Sequence, residues 1–230
     1  MRLVSKIEYY ENNDNGVSLY QTVEYRYDEQ NRITEMTITD ENGISVSSVL
    51  IHPAENNMES ITEYGNTIYT LNSDGSIASW SNDGQLLGTC TYFNNYLLKR
   101  EYSMEFETLT RLTAETCTWE NGNITTAVIE QSYFPDSPWG YSMTLNYEYG
   151  SIQNKPVSVE FFLIDFSAPR GWYGKSILNL PSKVTIQSEF GSDVVTNYRF
   201  ETDKKGYPIR LFLRENDKDE KLRTVIEYMN

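Results

Sequence analysis

A period of two residues runs through almost the whole chain, and this restricts the fold more than any other feature. In "YSMTLNYEY" Tyr141, Met143, Leu145, Tyr147 and Tyr149 share one face, while Ser142, Thr144, Asn146 and Glu148 share the other. In "SKVTIQSEF" Val184, Ile186 and Phe190 stand opposite Lys183, Thr185, Gln187 and Glu189, and "VVTNYRFE" repeats the pattern with Val194, Tyr198 and Phe200. Successive side chains of a strand point to opposite faces, whereas a helix needs apolar residues three and four apart. No long stretch supplies that spacing. The chain is all-β.

Polar turns separate the runs: "NDNG" at 13–16, "ENG" at 41–43, "NSDG" at 72–75, "NDG" at 82–84, "ENGN" at 120–123 and "DKKG" at 203–206. Asn-Gly and Asp-Gly tolerate the positive φ that tight hairpins demand, so neighbouring strands are antiparallel. At about 14 residues per strand and turn, the chain makes an up-and-down meander of about 16 strands. Four stretches are one hairpin unit in different spellings: "EYRYDEQNRITEM", "IYTLNSDGSIASW", "CTWENGNITTAVI" and "YRFETDKKGYPIRLFL". Each ends a strand near an aromatic or aliphatic residue, turns, and restarts the apolar face at an Ile. A unit with one apolar face cannot stand alone. The sheet must curl until that face is hidden and its two edges are removed, which predicts one barrel-like domain over 1–230.

The first unit resembles the tyrosine–aspartate repeats of bacterial surface shell proteins: Tyr27, Asp28, Arg32 and Ile33 match, and Asn31 stands where glycine is usual. Across nearly its whole length the chain resembles a family of uncharacterised surface lipoproteins of gut anaerobes with a porin-like fold. The resemblance is carried by "LVSKIEYY", "YRYDEQNRI", "GWYGKSILNLPSKV" at 171–184 and "YRFETDKKGYPIRL". It implies a barrel-like antiparallel sheet and an exported, envelope-located mature domain, lipid-anchored at the surface or periplasmic. It implies no catalytic residues.

A porin-like outline does not place the chain in a membrane. The aromatics (Tyr 18, Phe 9, Trp 4) are spread along strands, whereas a transmembrane barrel gathers them in two girdles. Runs such as "IYTL" and "ASWS" are shorter than the ~9–11 residues a spanning strand needs. We therefore expect a soluble body with the apolar face inward, in keeping with a mean hydropathy of −0.55. No leader is legible in "MRLVSKIEYYENND", which already alternates like a strand. The formal net charge of −14 repels phosphate backbones, so nucleic acid is not an expected partner.

Chemistry-bearing motifs are few. His52 is the single histidine and precedes Pro53. Cys90 and Cys117 fit one disulfide or two buried thiols, without CxxC spacing. Glu105 and Glu107 share a strand face, as a glycosidase pair must, but a chain with 33 acids produces such pairs by chance. "NDKDE" at 216–220 lacks the glycine and distal glutamate of a calcium loop. The expectation is a non-enzymatic protein with no metal and no cofactor. Two segments interrupt the meander: "FPDSPWGY" at 134–141 and "DFSAPRGWYGKSILNLPSK" at 165–183. Long loops in compact domains usually carry function. Trp139, Tyr141, Arg170, Trp172, Tyr173 and Lys175 are the candidate contacts for a lipid-like or glycan ligand at a loop-covered mouth. The competing expectation is that Trp172 and Leu180 fold back to cork the barrel.

Overall fold

A computed structural model describes residues 1–13, 16–54, 56–106, 109–134, 140–159, 171–189, 191–216 and 218–229. It contains sixteen strands: β1 Val4–Asn13, β2 Gly16–Tyr27, β3 Ile33–Asp40, β4 Ser45–Ala54, β5 Asn57–Thr62, β6 Gly65–Leu71, β7 Ile77–Asn82, β8 Gln85–Phe93, β9 Tyr96–Glu105, β10 Thr110–Glu120, β11 Asn123–Phe134, β12 Tyr141–Gln153, β13 Asn179–Ser188, β14 Val194–Thr202, β15 Pro208–Glu215 and β16 Lys221–Tyr228. Each pairs antiparallel with the next. β1 pairs with β16, with Ile7 opposite Ile226, so the sheet closes into a barrel. No helix is long and apolar enough to cross a membrane among the described residues.

The expected faces hold. Tyr141, Met143 and Leu145 pair with Gln131, Ile129 and Ala127, and the last two are buried. Ile7, Val23, Met58, Ile77, Leu97, Ile124, Leu180 and Ile226 are buried inside the barrel. Each aliphatic side chain taken from water contributes about 1.5–3 kcal/mol. Outward positions carry ion pairs instead: Lys6 with Glu8 and Glu227, Arg26 with Glu35, Lys183 with Glu148, and Arg199 with Glu201 and Glu220.

The recurring unit has a physical basis at each end of its hairpin. Asp28, Asp40 and Asp203 each accept two backbone N–H groups through Oδ1, two and four residues ahead. The fourth residue of the turn then takes a positive φ: Asn31 (62°), Gly43 (79°) and Gly206 (81°). Asn31 serves in place of glycine because its short polar side chain tolerates that conformation.

The aromatic that closes a descending strand does a second job. Tyr27, Tyr92, Trp119, Tyr149 and Tyr228 point inward and donate to the carbonyls of Val4, Ile77, Leu97, Ile124 and Pro208, all at 2.7–2.8 Å. Each acceptor lies on the preceding strand, beside a shift in pairing register. A bulge frees a carbonyl from the ladder, and a buried carbonyl needs a partner. The aromatic supplies it.

These five bonds mark the lower end of the barrel, where β12 also ends. The 25 residues between β12 and β13 start there, and their described parts turn into the barrel. Val157, Val159, Tyr173 and Ile177 join the core cluster formed by the strands. Arg2 bridges Val157, and Val4 N–H donates to Ser158 Oγ. Ile77 N–H donates to the Trp172 carbonyl, and Lys175 and Leu178 N–H groups to the Asn95 and Gly122 carbonyls. Gly174, at φ 80°, lies so close to β8–β9 that a Cβ would sit 2.4 Å from the Asn95 oxygen. A sixteen-strand porin leaves an aqueous channel. Here the lower interior is filled.

Candidate functional site

The sequence-derived candidates that the structure describes lie at the two ends of the barrel. Trp139 and Arg170 lie outside the described residues, as does Glu107. Tyr141 faces inward at the upper rim, opposite Gln131. Trp172, Tyr173 and Lys175 belong to the plug at the other end. Trp172 is partly buried, its ring 5.5 Å from that of Tyr69. Tyr173 is 8% exposed. Lys175 Nζ stands 4.7 Å above the Tyr96 ring. Beside it lies a concavity of about 520 Å³, lined by Tyr96, Gly171, Gly174, Lys175 and the exposed Leu178.

What the plug meets inside the barrel was not anticipated. Arg100 and Glu115 face each other across β9 and β10, joined by two hydrogen bonds of 2.7 and 3.2 Å, and both are buried. Arg100 Nη1 donates to Tyr173 Oη at 2.9 Å, and the Tyr102 hydroxyl donates to Glu115 at 3.3 Å. The Arg100 guanidinium also lies about 5 Å from both tyrosine rings. A buried ion pair survives desolvation only when its remaining donors and acceptors are met, and the plug tyrosine meets one of them. The signal was present in the sequence: Arg100 and Glu115 occupy the inward phase of alternating strands, where charge is out of place.

Burial raises the thiol pKa of Cys90 to about 11 and of Cys117 to about 12. The two are unbonded, which resolves the alternatives left open by their spacing in favour of two thiols. Burial also lowers the pKa of half-buried His52. Among the described residues no group of three or more His, Cys, Asp or Glu side chains gathers as a metal site.

In the upper half a concavity of about 690 Å³ lies against β8–β12. It opens on the outer wall. Trp80 covers the inner side of Gly88 so closely that a Cβ there would meet the indole at 2.2 Å, and Thr113 is 2% exposed. The outward-facing lining residues Leu86, Glu101, Leu112, Glu130 and Ser132 are exposed. The register sets these side chains in two rows. One runs Thr89–Glu101–Ala114–Glu130–Ser142, the other Ser103–Leu112–Ser132.

Two solved structures share the architecture. One, a porin-like protein from Bacteroides uniformis, is 18% identical, with a TM-score of 0.67 over 98% of this chain and 97% of the other. The fold is porin-like. A second porin-like protein, from Bacteroides vulgatus, is 10% identical, with a TM-score of 0.57 over 100% of this chain and 99% of the other. No protein-family model and no curated protein matches the chain. The porin-like barrel thus stands on structure, and membership in the lipoprotein family remains an expectation from sequence.

Proposed function

We propose that this chain is a non-catalytic domain of the bacterial cell envelope that works as a closed, water-facing body and not as a pore. The observation that carries the reading is the apolar plug: Val157, Val159, Tyr173 and Ile177 share one core with strands on all sides of the barrel. Two further features support it. Charged pairs such as Lys6–Glu8 and Lys183–Glu148 lie on outward strand positions, where a lipid-facing band would be apolar. β5, β6 and β7 have only six, seven and six residues, short of a bilayer crossing. The porin-like neighbours from Bacteroides favour an envelope location. The test is to purify the chain without detergent and mix it with dye-loaded vesicles. A monodisperse protein that neither floats with vesicles nor releases dye is expected, and stable insertion with dye efflux overturns the reading.

A second reading keeps a small lipid-like or glycan ligand at the plugged end, in the concavity beside Lys175, because Leu178 stands 56% exposed there. Lys175→Ala should then weaken binding of an alkyl glycoside probe. Unchanged binding removes this reading and leaves the closed body intact.

A further inference from the structure

We propose that the outer wall of β8–β12 is a docking groove for a basic polypeptide segment of a partner protein. Charge distribution is the first argument. Residues 45–134, which span β4–β11, contain only three cations (Lys99, Arg100, Arg111) against eleven acids, a net charge of 3 − 11 = −8. The other 140 residues hold the remaining 16 cations and 22 acids, a net of −6. Two of the three cations are unavailable to the outer wall. Arg100 is buried on Glu115, and Arg111 shares the inward phase of Thr113 and donates to Met104 Sδ. Lys99 alone faces out, and it pairs with Glu101 at 2.7 Å.

The groove lies in this cation-poor half, and no Lys or Arg lines it. Glu101, Glu130 and Glu189 rim it, and the last two make no ion pair among the described residues. On the opposite wall, by contrast, Glu8 on β1 and Glu35 on β3 each have a cationic partner. Glu101 and Glu130 stand in one row two strands apart, about 10 Å. The neighbouring row puts Leu112, 42% exposed, between Ser103 and Ser132, and Leu86 is 60% exposed at the edge. Small side chains form the floor, so an extended backbone can approach the sheet.

These features select the occupant. Phosphates and acidic glycans are repelled. A neutral sugar finds no ring to stack on, because Tyr102 and Tyr141 share the inward phase. A segment with lysine or arginine about 10 Å apart and an aliphatic side chain between them meets both rows. Charge supplies on-rate and register, and the leucines supply contact. The proposal does not depend on the sealed interior, because the groove lies outside the wall.

The test uses the full chain and three labelled decapeptides, one of lysine and leucine, one of lysine only and one of glutamate, with fluorescence anisotropy at low and high salt. The lysine–leucine peptide should bind tightest, and the double variant Glu101→Gln/Glu130→Gln should weaken it about tenfold. Leu112→Ser should weaken that peptide severalfold and leave the lysine-only peptide unchanged. Glu8→Gln, on β1 across the barrel, should change neither. Equal loss from Glu8→Gln means attraction to the overall negative charge and overturns the proposal, as does the absence of binding or a preference for the glutamate peptide.

Discussion

The two ends of the barrel are built from the same hairpin chemistry and have different interiors. At the lower end five aromatic side chains hydrogen-bond to bulged carbonyls and a loop packs into the barrel. At the upper end inward residues such as Tyr141 and Met143 are only half-buried. The aspartate turn occurs at both, with Asp28 and Asp203 below and Asp40 above. Turn chemistry therefore sets the strands, while aromatic placement and the plug decide which end is dry.

The sharpest way to break this contrast is to strip the plug of its polar anchor. Arg100→Met leaves Glu115 buried and unpaired, and should cost about 3–5 kcal/mol in urea unfolding. The double variant Arg100→Met/Glu115→Leu should recover most of that loss, because the cost lies in the orphaned charge. A double variant as unstable as the single would show that the ion pair itself holds the barrel together.

Gly88→Val forces the Trp80 ring off the sheet and off its neighbour Tyr102, 6.2 Å away. Overpacking of this kind should cost about 1–3 kcal/mol, read as a lower melting temperature. Smaller still, Tyr149→Phe removes the donor to the Ile124 carbonyl and should cost about 1 kcal/mol. Tyr10→Phe, whose hydroxyl meets Glu8 on the outer wall, should change stability by only a few tenths of a kcal/mol. Equal losses from the two would remove the special role of the lower-end aromatics.

The smallest effect concerns pH. The Arg32 amide, its guanidinium and the Gln30 amide hold the Asp28 carboxyl below its ordinary 3.8, and Tyr207, Arg2 and Lys205 do the same for Asp203. The Ile44 and Asn42 amides act likewise on Asp40. Depressed acids stabilise the folded state above their unfolded pKa, and that contribution disappears as pH falls through the folded values. The urea midpoint should drop below about pH 4, and Asp28→Asn or Asp40→Asn should flatten the drop to a similar extent. A much larger effect at the lower end would mean that the turns, too, differ between ends.

Much of this was legible from residue order. Period two gave the strands, Asn-Gly and Asp-Gly the hairpins, and Tyr27 and Trp119 the closing positions. Their hydrogen-bonding task was not legible, because a one-residue register shift leaves no mark in the alternation. The plug could be anticipated only as a cork. The inward phase of Arg100 and Glu115 marked a buried charge pair, but not its contact with Tyr173, which finds Arg100 across 73 residues. The groove was missed for another reason: it depends on which side chains the register aligns across five neighbouring strands, and alternation reports a side chain's phase without its cross-strand neighbours.

The dryness of the interior is tested most directly through Cys117, 4% exposed and inward on β10. In a Cys90→Ser background, a small uncharged thiol reagent at pH 8 should label Cys117 only at the rate of global unfolding, with denaturant accelerating both processes in parallel. Rapid labelling of the native protein would mean that water fills the barrel, and would contradict a sealed body.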